Sequence, residues 1–484
     1  MTDVEYRALA PGLTISRVVT GLWQVADMER DGRTVDVDGA AQAMERYAAA
    51  GLTTFDMADH YGSAEDIAGR FRESHGATGR GAQLLTKWVP EPGPVTRETT
   101  RAAVARALSR LRSERVDLLQ FHAWRFSDAS WLDALGYLSD LQREGLVGAI
   151  GVTNFDTAHV RIALASGIRV VSNQICCSLI DRRAHGRMSA LCREHGVSLL
   201  AYGTLAGGFL SERWIGAPEP DGLASWSQMK YKRFIDAAGG WDAFQRVLVA
   251  AHGVARRLGV SIANVATRYV LEQPAVAAVI VGARLGVSEH VAENLRVFGT
   301  RLDADARAAL DAALASLEVI PGDCGDEYRT PPYLTASGDL SHHLSSFAAP
   351  YPVRDGGDGA VRAFSGTAWE SMAGYCRAVR LGDRILVSGT TATHRDRVIG
   401  GTDAGAQAHF AIDKISGAIE SLGGRLADVV RTRVFVKEIS DWEAVARAHG
   451  ERFAGVQPAN TLVQATLVGP EYLVEIEAEA VVRA

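Results

Sequence analysis

The sequence predicts an α/β fold: a (β/α)8 TIM barrel followed by a smaller α+β unit. Three observations carry this expectation. Eight short β-branched runs alternate with stretches of helical period over the first ~300 residues, the count of a barrel whose usual size is about 250 residues plus insertions. A doubly wound sheet usually carries a G-x-G-x-x-G after its first strand, and none is present here. Near residue 320 the composition changes, and a second β-β-α-β-α-β-β pattern begins near residue 361. A chain of 484 residues is too long for one ordinary core. The expected division is a barrel over 1–320, a bridging segment over 321–360 and a second unit over 361–484.

Taken in order, residues 5–16 read as a hairpin turning at Pro11 and Gly12. The barrel strands are expected at 18–23, 53–56, 83–88, 116–121, 147–152, 170–173, 197–201 and 277–281. Helical spacing marks 39–50, 63–72, 96–111, 131–143 and 159–165. In 96–111, Val104, Ala107, Leu108 and Leu111 fall at i, i+3, i+4 and i+7, a single inner stripe. Residues 211–240 form a long insertion of the kind that shapes substrate choice in barrel enzymes. Helical period ends near Leu317, and Pro321, Pro331, Pro332, Pro350 and Pro352 then punctuate a polar linker. Tyr328, Tyr333, Leu340 and Phe347 suggest that parts of it lie against a domain surface. In the second unit, strands are expected at 375–380, 384–388, 431–436, 461–467 and 473–481, with helices at 404–422 and 442–453. Ala408, Ile412, Ile415 and Ile419 make one apolar stripe on the first of these helices.

Composition excludes several classes. The net charge is −6 and no Lys/Arg run could track phosphates, so nucleic acid is not an expected partner. No apolar run approaches the ~18 residues of a membrane span, and residues 1–10 lack a signal pattern. The five cysteines are odd in number and form no C-x-x-C, which points to reduced thiols in a cytoplasm. Cys176 and Cys177 are adjacent on a strand, point to opposite faces and read as buried packing. His342 and His343 lack acid or cysteine neighbours, so no metal site is expected.

The chemistry is concentrated at strand ends. The run GLTTFDMADHYGSAE (51–65) delivers Asp56 and Tyr61, the next strand ends at Lys87, and the one after it ends at His122. Barrel enzymes keep their catalytic groups at this end of the strands. Asp, Tyr, Lys and His in this chain order resemble the tetrad of the aldo-keto reductases. The resemblance implies that Tyr61 protonates a carbonyl oxygen as hydride reaches the carbon. A free phenol titrates near ~10, and Lys87 is expected to lower that value, with Asp56 holding Lys87 in place. His122 is expected to donate a hydrogen bond to the substrate oxygen.

The resemblance continues through GAIGVTNFD, which is similar to the family's GVSNF segment and implies that Thr153 and Asn154 meet the nicotinamide carboxamide, as does Gln174 in VVSNQI. Tyr202 falls where the family stacks an aromatic ring on the nicotinamide. The small residues Gly203, Ala206, Gly207 and Gly208 follow it, and their backbone could approach a pyrophosphate, with Leu205 among them as a further cofactor contact. In VGARLGVSEHVAENL, Arg284 would meet a 2′-phosphate and Glu293 and Asn294 the adenine. His290 replaces a second basic residue common in relatives, so the implied cofactor is NADPH with NADH as the alternative. Trp23, Trp88 and Trp124 follow strands and are candidate walls of a substrate pocket.

The second unit, through GYCRAVRLGDRILVSGTTA and VEIEAEAVV, resembles the RidA (YjgF-type) family, which is chorismate-mutase-like and usually trimeric. Deaminases of that family carry an arginine in a PxR motif that grips a carboxylate. Here the matching run is Gln457-Pro458-Ala459-Asn460-Thr461, and the amide of Asn460 forfeits the charged bidentate pair. Glu475 matches the family's water-positioning acid.

These readings together give an NADPH-dependent reductase of an aldehyde, ketone or imine, cytoplasmic and assembled as a homotrimer through its second unit. Oxidation of a sugar or alcohol is the same chemistry reversed. The second unit either handles enamines and imines or serves as a non-catalytic trimerisation and ligand-binding module.

Overall fold

The computed structural model describes residues 3–483. An antiparallel hairpin, β1 (Tyr6–Ala10) and β2 (Leu13–Ser16), turns at Pro11 and Gly12. Gly12 takes φ +76, the left-handed region that glycine enters without cost. Leu13 and Ile15 are buried with Val19, Leu85, Leu118 and Leu200, so the hairpin stoppers the barrel interior.

All eight expected runs become parallel strands of one closed barrel: β3 (Val18–Gly21), β4 (Thr54–Asp56), β5 (Gln83–Trp88), β6 (Val116–His122), β7 (Val147–Thr153), β8 (Ser172–Cys176), β9 (Ser198–Tyr202) and β10 (Val276–Gly282). β10 pairs with β3 and closes the ring. The first strand stops at Gly21, because residue 23 already opens a short helix, Trp23–Met28. Register levels the strand ends: Lys87 pairs with Gln120, His122 with Thr153, and Thr153 with Gln174. Groups far apart in sequence thereby meet at one mouth. The outer helices begin where their caps dictate. Thr96 accepts from Thr99 N at the head of Arg97–Arg110, and Asp156 accepts from His159 N at the head of Thr157–Ala165. The insertion at 211–240 contains a helix, Trp226–Ala237, capped by Ser225.

The second sheet comprises β11 (Val353–Asp355), β12 (Ala360–Ala363), β13 (Ala378–Leu381), β14 (Arg384–Thr391), β17 (Val429–Val436), β18 (Ala459–Gln464) and β19 (Val474–Val481). A small hairpin, β15 (Thr393–His394) and β16 (Arg397–Val398), stands apart from it. The spatial order is β11-β12-β13-β14-β19-β17-β18, with β17 and β18 parallel. The end of the expected linker thus joins the sheet as β11. The helix Ala404–Ser421 buries its apolar stripe in the core of this unit. Its polar residues Gln407, His409, Asp413 and Lys414 are buried as well.

Gln407 and Lys414 are satisfied within the second unit, by the Gly401 and Glu471 carbonyls and by the Thr391 and Thr393 carbonyls, whereas Asp413 is buried because this helix docks on the barrel. His159 Nε2 lies 2.9 Å from Asp413 Oδ2, and Arg161 Nε donates to Asp403 at 2.6 Å. Ser127 Oγ donates to Glu420 at 2.7 Å, and Arg187 pairs with Glu451 at 2.6 Å. On a second helix, Asp133 collects His394 at 3.0 Å and Arg395 at 2.9 Å. No helix among the described residues is long and apolar enough to cross a membrane.

Candidate active site

The mouth of the barrel is built on Asp56, at the end of β4. Its Oδ2 accepts from Lys87 Nζ at 2.6 Å. Its Oδ1 accepts from Gln120 Nε2 at 2.9 Å and from Gln174 Nε2 at 2.7 Å. Lys87 Nζ also donates to the Met57 carbonyl at 2.8 Å. Every partner is buried, so the pair is desolvated, and both carboxylate oxygens and two of the three ammonium N–H groups are hydrogen-bonded, the condition under which a buried ion pair persists. Burial pushes the Lys87 ammonium below its ordinary pKa, and the Asp56 charge resists that shift.

Tyr61 is half-buried on the loop after β4, and the Lys87 ammonium lies 5.0 Å from its ring centroid. Its phenol is pushed well above the ordinary tyrosine value, first by burial and then by the Asp56 charge. Here the structure differs from the expectation that Lys87 would lower it. At 2.6 Å the ammonium is matched to Asp56, and little of its field is left over for the phenol. His122 is 3% exposed, and its Nε2 has no hydrogen-bond partner. Burial drives its pKa well down, assisted by Arg329 and His60, so the ring is neutral. A neutral imidazole can present one N–H donor.

The expected cofactor residues are distributed as follows. Thr153 Oγ1 donates to the Gln174 carbonyl at 3.1 Å, and Asn154 Oδ1 accepts from the Tyr202 hydroxyl at 2.7 Å. The Gln174 amide faces inward, toward Asp56 and Gln120. A Cβ on Gly203 would come within 2.5 Å of Tyr231 Oη, and one on Gly207 within 2.8 Å of the Ser227 carbonyl. The small residues after Tyr202 therefore admit the helix Trp226–Ala237, which roofs this stretch. Leu205 is half-buried against the barrel core. Arg284 is exposed and makes no ion pair among the described residues. Glu293 accepts from Ser261 Oγ, and Asn294 is buried beside it. The donor set fits a dinucleotide at both ends: an aromatic ring with two amides near the tetrad, and a free guanidinium with a carboxylate at the far end.

The three tryptophans have separate surroundings. Trp88 packs on Phe121 with centroids 5.2 Å apart, inside the barrel core. Trp124 packs edge-on against His122 at 4.5 Å and donates Nε1 to the Pro90 carbonyl at 2.7 Å. Trp23 is half-buried against Trp226 at 6.2 Å.

The bridge, whose aromatic residues suggest packing on a domain surface, lies across this mouth in three tight turns, Asp326–Tyr328, Ser337–Asp339 and Ser341–Ser346. Arg183 pairs with Glu327 at 2.9 Å, and Arg329 donates to the Asn154 carbonyl at 2.6 Å. Lys230 donates to Tyr328 Oη at 2.7 Å and lies 3.2 Å from Asp339. Gly325 holds φ +83, and a Cβ there would meet the Asn154 carbonyl at 1.9 Å. Gln120, Lys230 and Tyr328 were not singled out in the sequence as site residues; the only hint was the set of aromatic residues within the polar linker. An open cavity of about 860 Å³ lies at the other end of the barrel, lined by Arg17, Ser198 and Val276, and no tetrad residue borders it.

Asn460 and Glu475 belong to opposite faces of the second sheet. Asn460 is paired with Thr432 and donates to its Oγ1 at 2.9 Å, on the face covered by helices. Glu475 alternates with the buried Val474 and Ile476 and faces the other way, against Gly389.

Comparison with known proteins agrees with this geometry. The model of the aldo/keto reductase family matches residues 17–315, and that of the endoribonuclease L-PSP family matches residues 365–482. Protein tas of Escherichia coli is 26% identical over 315 residues, 56% of this chain and 88% of that protein. An uncharacterized protein of Streptomyces coelicolor is 40% identical over 120 residues, 25% of this chain and 90% of its own length. The solved structure of a glycerol dehydrogenase from Gluconobacter oxydans shares the fold, with a TM-score of 0.53 at 23% identity over 66% of this chain and 97% of that one. The chain is a member of the aldo/keto reductase family that carries a RidA-type domain after its barrel.

Proposed function

We propose that the barrel reduces an aldehyde, ketone or imine at the expense of NADPH, with Tyr61 as the general acid. The observation that carries this reading is the buried, partnerless Nε2 of His122, at the end of the strand next to the one that carries Lys87 and its Asp56 partner. A buried polar atom without a partner costs free energy, and a substrate oxygen would complete it. His122 would orient that oxygen, and Tyr61 would give it a proton. A bound nicotinamide supplies the hydride. Tyr202, Thr153, Asn154 and Gln174 would hold its ring end, the backbone of Gly203, Leu205 and Gly207 its middle, and Arg284, Glu293 and Asn294 its adenosine end. Tyr61 keeps its proton through neutral pH, the form that reduction requires. The five cysteines are free and four are buried, which supports a reducing, cytoplasmic setting.

Arg284 distinguishes NADPH from NADH. Arg284→Ala is expected to weaken NADPH binding by about 10- to 100-fold, the worth of one charged hydrogen bond, and to leave NADH binding unchanged. Fluorescence titration with both nucleotides measures it. Equal loss for both would place no phosphate at Arg284.

For the RidA-type domain we favour assembly and ligand binding over deamination. Asn460 is uncharged, engaged by Thr432 and turned away from Glu475 within the chain. Light scattering is expected to give a trimer, and 2-imino acids are expected to hydrolyse no faster with the protein than without it. A monomer or a catalysed release of ammonia would reverse this assignment.

A further inference from the structure

We propose that Tyr328, carried in by the bridge, is a substrate-facing residue of the barrel site, that Lys230 positions it, and that the pair selects carbonyl compounds bearing a hydroxyl beside the carbonyl carbon. This rests on the reductase reading above and adds the substrate class. Neither residue is in the tetrad, and Tyr328 lies beyond residue 315, where the reductase family match ends.

Placement is the first argument. The Tyr328 ring is 5.4 Å from the His122 ring, edge-on, and both are buried. Whatever oxygen His122 Nε2 receives has Tyr328 for a neighbour. Hydrogen-bond accounting is the second. Lys230 Nζ donates to Tyr328 Oη at 2.7 Å, so the phenol oxygen already accepts and its own hydrogen is left to donate. The acceptor nearest to it is Tyr202 Oη at 3.4 Å, too long to satisfy it. Tyr202 directs its own proton to Asn154 Oδ1 at 2.7 Å. Burial and Asp339 push the Tyr328 phenol up to about 12, so it holds that proton across the neutral range.

The third argument is the fixity of the donor. The Lys230 ammonium lies 4.8 Å from the Tyr328 ring centroid and 5.1 Å from that of Tyr202, and it is balanced by Asp339 at 3.2 Å. Arg183 anchors the neighbouring Glu327, whose Oε1 is 3.3 Å from Tyr202 Oη. A hydrocarbon substituent here would strand buried donors and acceptors. A hydroxyl accepts from Tyr328 and donates to Glu327 or Tyr202, and sites built this way reject analogues that lack the hydroxyl.

The test compares glycolaldehyde with acetaldehyde, equal in carbon number, using full-length protein with excess NADPH or NADH. Wild type is expected to favour glycolaldehyde in kcat/KM. In Tyr328→Phe the ratio of the two kcat/KM values is expected to fall by about 10- to 100-fold, the worth of one buried hydrogen bond. The paired change Lys230→Met with Asp339→Asn leaves no buried charge unmatched and is expected to lower the same ratio. Combined with Tyr328→Phe it is expected to lower it no further, as coupled residues behave. No preference in wild type, or an unchanged ratio in Tyr328→Phe, overturns the proposal. Additive losses overturn the positioning role of Lys230. If wild type reduces neither aldehyde and Tyr61→Phe changes nothing, the reductase reading itself falls; if Tyr61→Phe abolishes both reductions while Tyr328→Phe leaves the ratio alone, only the present proposal does.

Discussion

Tyr61→Phe is expected to lower kcat for carbonyl reduction by about 100- to 10,000-fold, the usual contribution of a positioned general acid, and to leave nucleotide affinity unchanged. The substitution removes one oxygen and keeps the ring that the Lys87 ammonium faces at 5.0 Å, so packing is preserved. Stopped-flow absorbance at the nicotinamide band separates the chemical step from binding. Unchanged turnover would move the acid elsewhere, with Tyr328 next in line.

The pH profile follows from the same residue. Burial and the Asp56 charge hold the Tyr61 phenol well above its ordinary value, so the protonated form prevails throughout the neutral range. The reduction rate is therefore expected to be level through neutrality and to fall only at strongly alkaline pH, as the phenol ionises. Alcohol oxidation needs the phenolate as base and is expected to rise over that same interval. A fall in reduction near pH 7 would assign the controlling group to something else, since His122 is already neutral there.

The barrel was legible from local pattern, and the four candidate residues from their places at strand ends together with the family resemblance. Short β-branched runs located all eight strands, and Asp56, Lys87 and His122 fall at their ends, where parallel register brings them together. Residues whose roles come from long-range contact were not legible. Gln120 reads as one more strand residue until Asp56 is seen to accept from it. Gly203 and Gly207 suggest room for a ligand, yet their missing side chains make room for Tyr231 and Ser227, twenty or more residues away in a long insertion. The bridge misleads in the same way. Its prolines and polar residues signal a linker, and only Arg183, Lys230 and Arg329 reveal how tightly it is tied to the barrel. Helix Ala404–Ser421 shows one apolar stripe in sequence, while the burial of Asp413 on it is intelligible only from the barrel helix it meets.

That buried carboxylate carries the second large effect. Asp413→Ala is expected to destabilise the protein by about 3–5 kcal/mol, the cost of breaking a buried ion pair and leaving its partners uncompensated. Asp413 is 1% exposed and faces two basic partners, His159 Nε2 at 2.9 Å and Arg452 at 2.6 Å. Burial alone would push the His159 pKa down, but Asp156 and Asp413 on its two nitrogens raise it above the ordinary value. A histidine whose folded pKa is raised stabilises the native state fully below its unfolded value near ~6.5 and loses that contribution as pH rises through the folded value. Wild type is therefore expected to lose stability as pH climbs past that range, and Asp413→Ala to show a flatter dependence there, in thermal unfolding followed by circular dichroism. Asp413→Asn keeps an acceptor for His159 and is expected to lose less. Because the residues lie on opposite sides of the contact between barrel and RidA-type domain, early proteolytic cleavage within 348–360 in Asp413→Ala, with the barrel left intact, would identify undocking as the event. A loss of barrel and domain together, in one transition, would mean that the contact is part of a single cooperative core.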